Sequence, residues 1–252
     1  MPRPMIFVTL LALTAWAYAS VGLGGGTAYL SVMSFWNSDP TVLRPMAWSL
    51  NIVACSCGFL NFYRHGHFDV RLAWPLLVGG VLGAAIGGAT QVETKTFQAM
   101  LAITLICASL RMLFARNKPK SRSTKRPPIL PSLSLGMAIG IISGLVGIGG
   151  GIILGPVLIT LGWADIKRLA PITSLYTLFN SSGALTSFLL RGGSIGLPLT
   201  GVLCVAVLAG SSLGSRWGAK KASESMLKRI FGLVALAAGV KLACAYFGLI
   251  GG

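Results

Sequence analysis

The sequence predicts an all-α polytopic membrane protein made of two inverted repeats, each a glycine-broken helical hairpin followed by three transmembrane helices. Three observations lead to this prediction: long apolar segments, an internal duplication and an uneven distribution of basic residues. Apolar residues make up 54% of the chain and charged residues only 10%, whereas soluble domains carry about 25% charged residues. We therefore expect a multi-pass membrane protein, with the lipid bilayer as its main surrounding.

Eight apolar segments carry this prediction. They cover residues 5–36, 45–63, 72–90, 97–114, 132–163, 169–190, 196–215 and 226–249. A transmembrane helix needs about 20 apolar residues, and the first and fifth segments are each 32 residues long. Both contain a glycine run near the middle, in "SVGLGGGTAYL" (20–30) and "LVGIGGGIILG" (145–155). Because glycine costs roughly 1 kcal/mol in a helix interior, we predict that the helix is interrupted at both runs.

The two halves of the chain correspond to each other. The glycine runs match at a spacing of 125 residues, and the same spacing pairs Ser49-Leu50 with Ser174-Leu175. Between the halves lies the basic stretch "ARNKPKSRSTKRPPILP". A repeat of this length predicts two structural units. We therefore assign residues 1–114 to a first membrane repeat, 115–131 to a basic cytoplasmic linker, and 132–252 to a second membrane repeat.

The basic residues predict how the repeats are oriented. If each glycine-bearing segment crossed the membrane once, eleven Lys and Arg residues would lie inside and nine outside. If each is a hairpin that returns to its own side, sixteen lie inside and four outside. Cytoplasmic loops are rich in Lys and Arg, so we favour hairpins and inverted halves. The net charge of +16 is then a consequence of topology, and we expect no nucleic acid partner. The sequence leaves a homodimer open.

The glycine runs are the predicted substrate site. Irregular backbone at membrane depth is tolerated where it lines a cavity or is buried in protein. The helix that follows each run presents free N–H groups and a positive dipole end. Two such ends meeting at the midplane form an anion site, although tight packing of small residues is the alternative explanation. The predicted substrate-binding glycines are Gly22, Gly24, Gly25, Gly26, Gly147, Gly149, Gly150 and Gly151.

Uncharged polar residues in the following helices complete the predicted site. Ser174, Thr177 and Ser181 share one helical face by their spacing. Ser49 and Ser56 form the matching stripe of the first half, with Asn51 nearby. Their hydroxyl and amide groups can bind an oxyanion, or else bond between helices or back to their own helix. All five acidic residues fall in predicted loops, and we expect no metal site, no cofactor and no catalytic residue.

The sequence resembles a known family. "GLVGIGGGIILGPVLITLGW" (144–163) is similar to the signature G-x-G-G-G-x-x-x-x-P-x-L of the TauE/SafE sulfite-exporter family, and "YRHGHFDVRLAWPLLVGGVLGAAIGG" (63–88) resembles the stretch after its first repeat. In the first repeat Ser31 stands where the signature has proline. The resemblance implies a multi-pass secondary transporter of the cell inner (plasma) membrane. By its name the family exports small sulfur oxyanions such as sulfite, or organosulfonates.

The alternative class is a membrane-embedded enzyme or assembly factor of sulfur metabolism. Such a protein needs a nucleophile, a metal set or an acid–base pair inside the membrane, and the predicted spans show none. Cys55 and Cys57 lie near the polar stripe of the first half. We interpret them as small packing residues, while a contact between either thiol and the substrate stays open.

Overall fold

The computed structural model describes residues 4–33, 40–66, 68–90, 127–164 and 166–220, with single positions between 99 and 110 and between 229 and 246. The five continuous ranges form eight helices and contain no strand. The helices are α1 (Pro4–Ala19), α2 (Gly26–Met33), α3 (Pro40–Arg64), α4 (Val70–Ala89), α5 (Ile129–Val146), α6 (Gly151–Leu161), α7 (Ile166–Leu190) and α8 (Leu197–Lys220). The predicted spans 97–114 and 226–249 lie largely outside the described residues.

Both long glycine-bearing segments are divided into two helices, as the sequence predicts. In the second segment, Gly147 caps the end of α5 in the left-handed conformation, with φ at 89° and its N–H bonded to the carbonyl of Ser143. Gly149 and Gly150 also have positive φ angles, 75° and 84°. L-residues other than glycine avoid this region, so the triple glycine permits the reversal between α5 and α6.

The central helices α3 and α7 cross in opposite directions. The ring of Trp48, early in α3, packs on that of Phe188, late in α7, with centroids 5.9 Å apart. Further along α3, Gly58 lies against the hydroxyl of Ser174, early in α7. Residues early in α3 thus contact residues late in α7, and residues late in α3 contact residues early in α7. The two helices are therefore antiparallel.

The outer helices pack in parallel pairs through glycine. In one pair, Gly79, Gly83 and Gly87 of α4 lie against the backbone of Leu133, Met137 and Ile141 of α5. In the other, Gly210 and Gly214 of α8 lie against Ala12 and Trp16 of α1, and Gly218 lies against Ser20, which directly follows α1. A glycine every fourth residue lets two helix backbones approach closely within a membrane. Helix α1 thus packs on α8, and α5 packs on α4.

The short helices run back along the central ones. The glycines that begin α6 lie beside Thr177, in the middle of α7, while α6 and α7 are joined at the other end by a short connection. The start of α2 likewise lies beside Asn51, in the middle of α3. Both short helices therefore end near the beginning of the long helix that follows, and their glycine-rich starts meet halfway along the molecule.

Apolar side chains are exposed on the outer helices. Val78, Leu82 and Ile86 of α4 and Val202 and Val205 of α8 are among them. By length and composition, the helices α4, α5 and α8 are each apolar enough to cross a membrane. The central helices α3 and α7 are 25 residues each. Helix α7 buries five polar side chains, and α3 buries Asn51 opposite them. The protein is a helical membrane protein with a polar centre.

Candidate functional site

The two glycine runs meet where α3 crosses α7. A Cβ atom at Gly24 would lie 2.6 Å from Oδ1 of Asn51 and 2.9 Å from Cγ2 of Thr177. A Cβ atom at Gly149 would overlap Thr177 and lie 3.1 Å from Nδ2 of Asn51. A Cβ at Gly26 would lie 3.1 Å from the Cα of Ile148. The same two side chains therefore touch both glycine runs, which also touch each other.

The structure shifts the correspondence between α3 and α7 by one residue. Helix α3 begins at Pro40 and α7 at Ile166, and both contain a proline, Pro45 and Pro171. These pairs are 126 residues apart, not the 125 that the Ser-Leu match indicates. The contacts agree, because Gly24 touches Asn51 and Cys55 while Gly149 touches Thr177 and Ser181. Asn51 thus lies at the same place along α3 as Thr177 along α7, and Cys55 at the same place as Ser181.

Asn51 is the polar side chain at the centre of this meeting point. It is 0% exposed, and neither its Nδ2 nor its Oδ1 has a hydrogen-bond partner among the described residues. An unsatisfied buried polar group costs about 1–3 kcal/mol, and most buried polar atoms in proteins are paired. Asn51 therefore carries unused hydrogen-bonding capacity beside both helix starts.

The predicted residues of α7 divide into two groups. Thr177 accepts a hydrogen bond from the N–H of Gly151 at 3.0 Å, and Ser174 donates to the carbonyl of Gly22 at 3.0 Å. Thr173, which the sequence analysis passed over, donates to the same carbonyl at 2.9 Å. By contrast, the hydroxyl of Ser181 is buried and has no partner in the described part of the chain. Ser181 thus resembles Asn51, whereas the others hold the hairpins.

The predicted serines of α3 bond within their own helix. Ser49 donates to the carbonyl of Pro45 at 2.9 Å, and Ser56 donates to that of Ile52 at 2.7 Å. Both are half-buried. Serine in a membrane helix commonly bonds back to the preceding turn. The face of α3 that meets the glycines is instead formed by Asn51 and Cys55.

The remaining predicted glycines lie against other neighbours. Gly22 packs on the backbone of Ala170, and Gly25 packs on the ring of Tyr29. In the second run, Gly147 lies beside Arg44, and Gly150 lies between Ser143 and Tyr176. These positions surround the meeting point, whereas Gly24, Gly26, Gly149 and Gly151 are the ones in contact with Asn51 or Thr177.

A cavity of about 10 Å³ adjoins the first glycine run. Gly24, Gly25 and Gly26 line one side of it, and Ile148, Ile152 and Thr177 of the second half line another. Such a volume holds about one water molecule. The two hairpin tips are therefore packed closely together in this structure.

Arg44 is a site residue that the sequence analysis missed. Its Nη2 donates to the carbonyl of Gly144 at 2.9 Å, and its guanidinium carbon lies 5.2 Å from the centre of the Trp48 ring. The sequence analysis used this arginine only in the charge count. The available signal was its position just before Pro45, inside what the structure shows to be a core helix.

Acidic groups are scarce around the site. Asp69 is the one acidic residue in the described ranges, and Asp39, Glu93, Asp165 and Glu224 lie outside them. The carboxylate of Asp69 caps α4 by accepting hydrogen bonds from the N–H groups of Arg71 and Leu72, and it lies 3.9 Å from the guanidinium of Arg168. The described residues contain no cluster of His, Cys, Asp and Glu that would bind a metal ion. The meeting point of the glycine runs is polar, and none of the described residues there has an acidic side chain.

Comparisons with known proteins place the chain in a family. Residues 6–242 match the family described as Sulfite exporter TauE/SafE. A "Probable membrane transporter protein y4hK" of Sinorhizobium fredii is 30% identical over 233 residues, which are 90% of this chain and 93% of the relative. A "Probable membrane transporter protein MJ0441" of Methanocaldococcus jannaschii is 26% identical over 156 residues, 58% of each chain.

Neither relative's name states a substrate, and no solved structure matches the chain. The family match covers both hairpins and all eight described helices. The chain therefore belongs to the Sulfite exporter TauE/SafE family of membrane transporters.

Proposed function

We propose that the protein exports small sulfur-containing anions, such as sulfite or organosulfonates, across the inner membrane by alternating access. The anion binds near the midplane between the two glycine-rich tips. The observation that carries this proposal is Asn51, a fully buried side chain in contact with both tips whose amide has no partner among the described residues. The family name supports the substrate class.

The chemistry of the tips suits an oxyanion. Helices α2 and α6 both begin at the meeting point, and the N–H groups of a first helical turn have no partner within the helix. Such helix starts attract anions. The Asn51 amide and the Ser181 hydroxyl add uncharged donors beside them. Among the described residues, no carboxylate lies beside the tips to repel the bound anion.

Inverted repeats provide the movement in this proposal. The antiparallel crossing of α3 and α7, which are equivalent helices, supports an inversion between residues 1–114 and 132–252. The exchange of first helices between the halves supports it as well, since α1 packs on α8 in the way α5 packs on α4. Rocking of inverted halves exposes a central site to each side in turn. Because the cavity is small, the tips separate when the anion binds.

The membrane potential supplies the driving force for export. An inside-negative potential favours exit of an anion by about 2.3 kcal/mol per charge per 100 mV. No proton-carrying carboxylate lies in the described helices near the site, so we propose an electrogenic uniport. Efflux from loaded vesicles should speed up under an inside-negative potassium diffusion potential. Efflux that ignores the potential and follows a pH gradient would contradict the uniport.

Transport by purified protein tests the proposed site. Proteoliposomes loaded with radiolabelled sulfite or methanesulfonate should release the anion with wild-type protein and not with Asn51→Leu. Asn61→Leu is the matched control, because Asn61 lies on the same helix but its amide donates to Ser215 at 2.7 Å. That variant should lose stability and keep transport per folded molecule. Transport by Asn51→Leu at the wild-type rate would refute the site, and a chemically altered sulfur product would indicate an enzyme.

A further inference from the structure

Arg44 reaches from α3 to the tip of the second hairpin. Its Nη2 donates to the carbonyl of Gly144, in the last turn of α5, at 2.9 Å. A Cβ atom at Gly147 would lie 3.2 Å from its Cγ. Arg44 precedes Asn51 by seven residues, which is roughly 10 Å along a helix. A fixed positive charge therefore lies beside the second tip, about two turns from the proposed binding site.

The guanidinium group is only partly used. Its Nε is buried and has no hydrogen-bond partner among the described residues. Nε and Nη2 lie on the same edge of a guanidinium group, and this edge can bind two oxygens of one oxyanion. The Trp48 ring packs against the group and so restricts its orientation. One donor of the edge is bonded to Gly144, and the other is available to an anion.

The positive charge of Arg44 has no counterpart in the second half of the chain. The position equivalent to Arg44, at the spacing of 126 residues, is Ala170, and it packs directly on Gly22 of the first tip. A small side chain therefore closes one tip, and an arginine stands beside the other. If Arg44 only capped the C-terminus of α5, its bond to Gly144 would be enough, and burial of the unpaired Nε would be a cost without a benefit.

We propose that Arg44 is a second anion-binding position, which holds the substrate as it passes between the central site and the side of the membrane where α3 begins. This inference rests on the proposed function. An oxyanion bound at both Nε and Nη2 replaces the carbonyl of Gly144. The replacement removes a bond between α3 and the second hairpin, so that anion passage and movement of the tip are coupled.

Transport kinetics of arginine variants test this proposal. In proteoliposomes supplied with radiolabelled sulfite or methanesulfonate, Arg44→Gln should raise KM roughly tenfold or more, the loss expected for a charge-assisted hydrogen bond. Arg44→Lys keeps the charge without the planar edge, and should raise KM by a smaller factor. Arg191→Gln is the matched control, since Arg191 also donates to a carbonyl of another helix, Ala89 at 2.9 Å, but is exposed. Its KM should stay at the wild-type value.

The outcomes separate this inference from the proposed function. If Arg44→Gln does not fold, Arg44→Lys decides, and an unchanged KM in that variant overturns the inference. An equal change of KM in Arg44→Gln and Arg191→Gln also overturns it, because a structural role would explain both. If Asn51→Leu is inactive while both Arg44 variants keep the wild-type KM, only the role of Arg44 fails. If wild-type protein moves neither anion, the proposed function fails and this inference fails with it.

Discussion

The two hairpin tips have the same glycines and different partners. At the first tip, the carbonyl of Gly22 accepts hydrogen bonds from Thr173 and Ser174. At the second, the N–H of Gly151 donates to Thr177, and the carbonyl of Gly144 accepts from Arg44. The backbone break is the same at both tips, and the groups around it differ. Asn51 has no hydrogen-bond partner among the described residues, whereas Thr177, at the same place along α7, is bonded to Gly151. The two sides of the meeting point therefore differ chemically.

The largest expected effect concerns the side of the membrane on which equivalent loops lie. A cysteine in place of Arg64, at the end of α3, should be protected from a membrane-impermeant maleimide added outside cells. A cysteine in place of Arg191, just after α7, should be labelled completely. The unmodified protein measures background from its native cysteines. Equal labelling at both positions would contradict the inverted relation between the repeats.

Apolar substitution should lower the unfolding stability at Thr177 and should not lower it at Asn51. Thr177→Val removes the acceptor of a buried N–H, and should lower the free energy of unfolding by about 1–3 kcal/mol. Asn51→Leu removes an unpaired amide, so unfolding stability should stay the same or increase. Denaturant unfolding of the purified variants measures both. Equal destabilisation would show that the Asn51 amide has a structural partner.

Alanine substitutions at Gly24 and Gly183 should distinguish a glycine of the proposed binding site from a glycine that only packs between helices. Gly24→Ala places a methyl group 2.6 Å from Oδ1 of Asn51 and 2.9 Å from Sγ of Cys55, so anion release should slow about tenfold or more, the equivalent of ~1.4 kcal/mol. Gly183 has room, with its nearest neighbours at 3.4 and 3.5 Å. Gly183→Ala should therefore transport normally and gain up to about 1 kcal/mol from helix propensity. Normal transport by Gly24→Ala would place the anion elsewhere.

The smallest expected effect is at Ser174. Because Thr173 and Ser174 share one acceptor, Ser174→Ala should cost only about 0.5–1 kcal/mol of unfolding free energy. Adding Thr173→Val should cost more than the two single changes suggest, since neighbours with a common partner are not additive. Unfolding of the single and double variants gives the coupling. A large loss of transport in Ser174→Ala, without a loss of stability, would instead make Ser174 a substrate ligand.

Sequence reasoning predicted the elements and missed part of their contacts. The positions of the helix breaks follow from the glycines at 22–26 and 147–151, because local backbone preference acts over a few residues. The spacing between matching positions of α3 and α7 could not be predicted correctly. A matching Ser-Leu pair indicated 125 residues, whereas the helix starts and the glycine contacts give 126. An offset of one residue changes the inferred helical face by about 100°. The face of α3 toward the glycines therefore contains Asn51, while Ser49 and Ser56 donate within their own helix.

The sequence by itself determined that this chain is a helical membrane protein with two glycine breaks, because composition, segment length and glycine content act locally. Only the tertiary structure decided which polar groups form hydrogen bonds within the protein. Ser174 and Thr177 are bonded to the hairpins. In the described part of the chain, Asn51, Ser181 and the Nε of Arg44 have no partner. The reason is that hydrogen-bond satisfaction depends on partners far apart in the chain: Arg44 and Gly144 are 100 residues apart, and Ser174 and Gly22 are 152 apart.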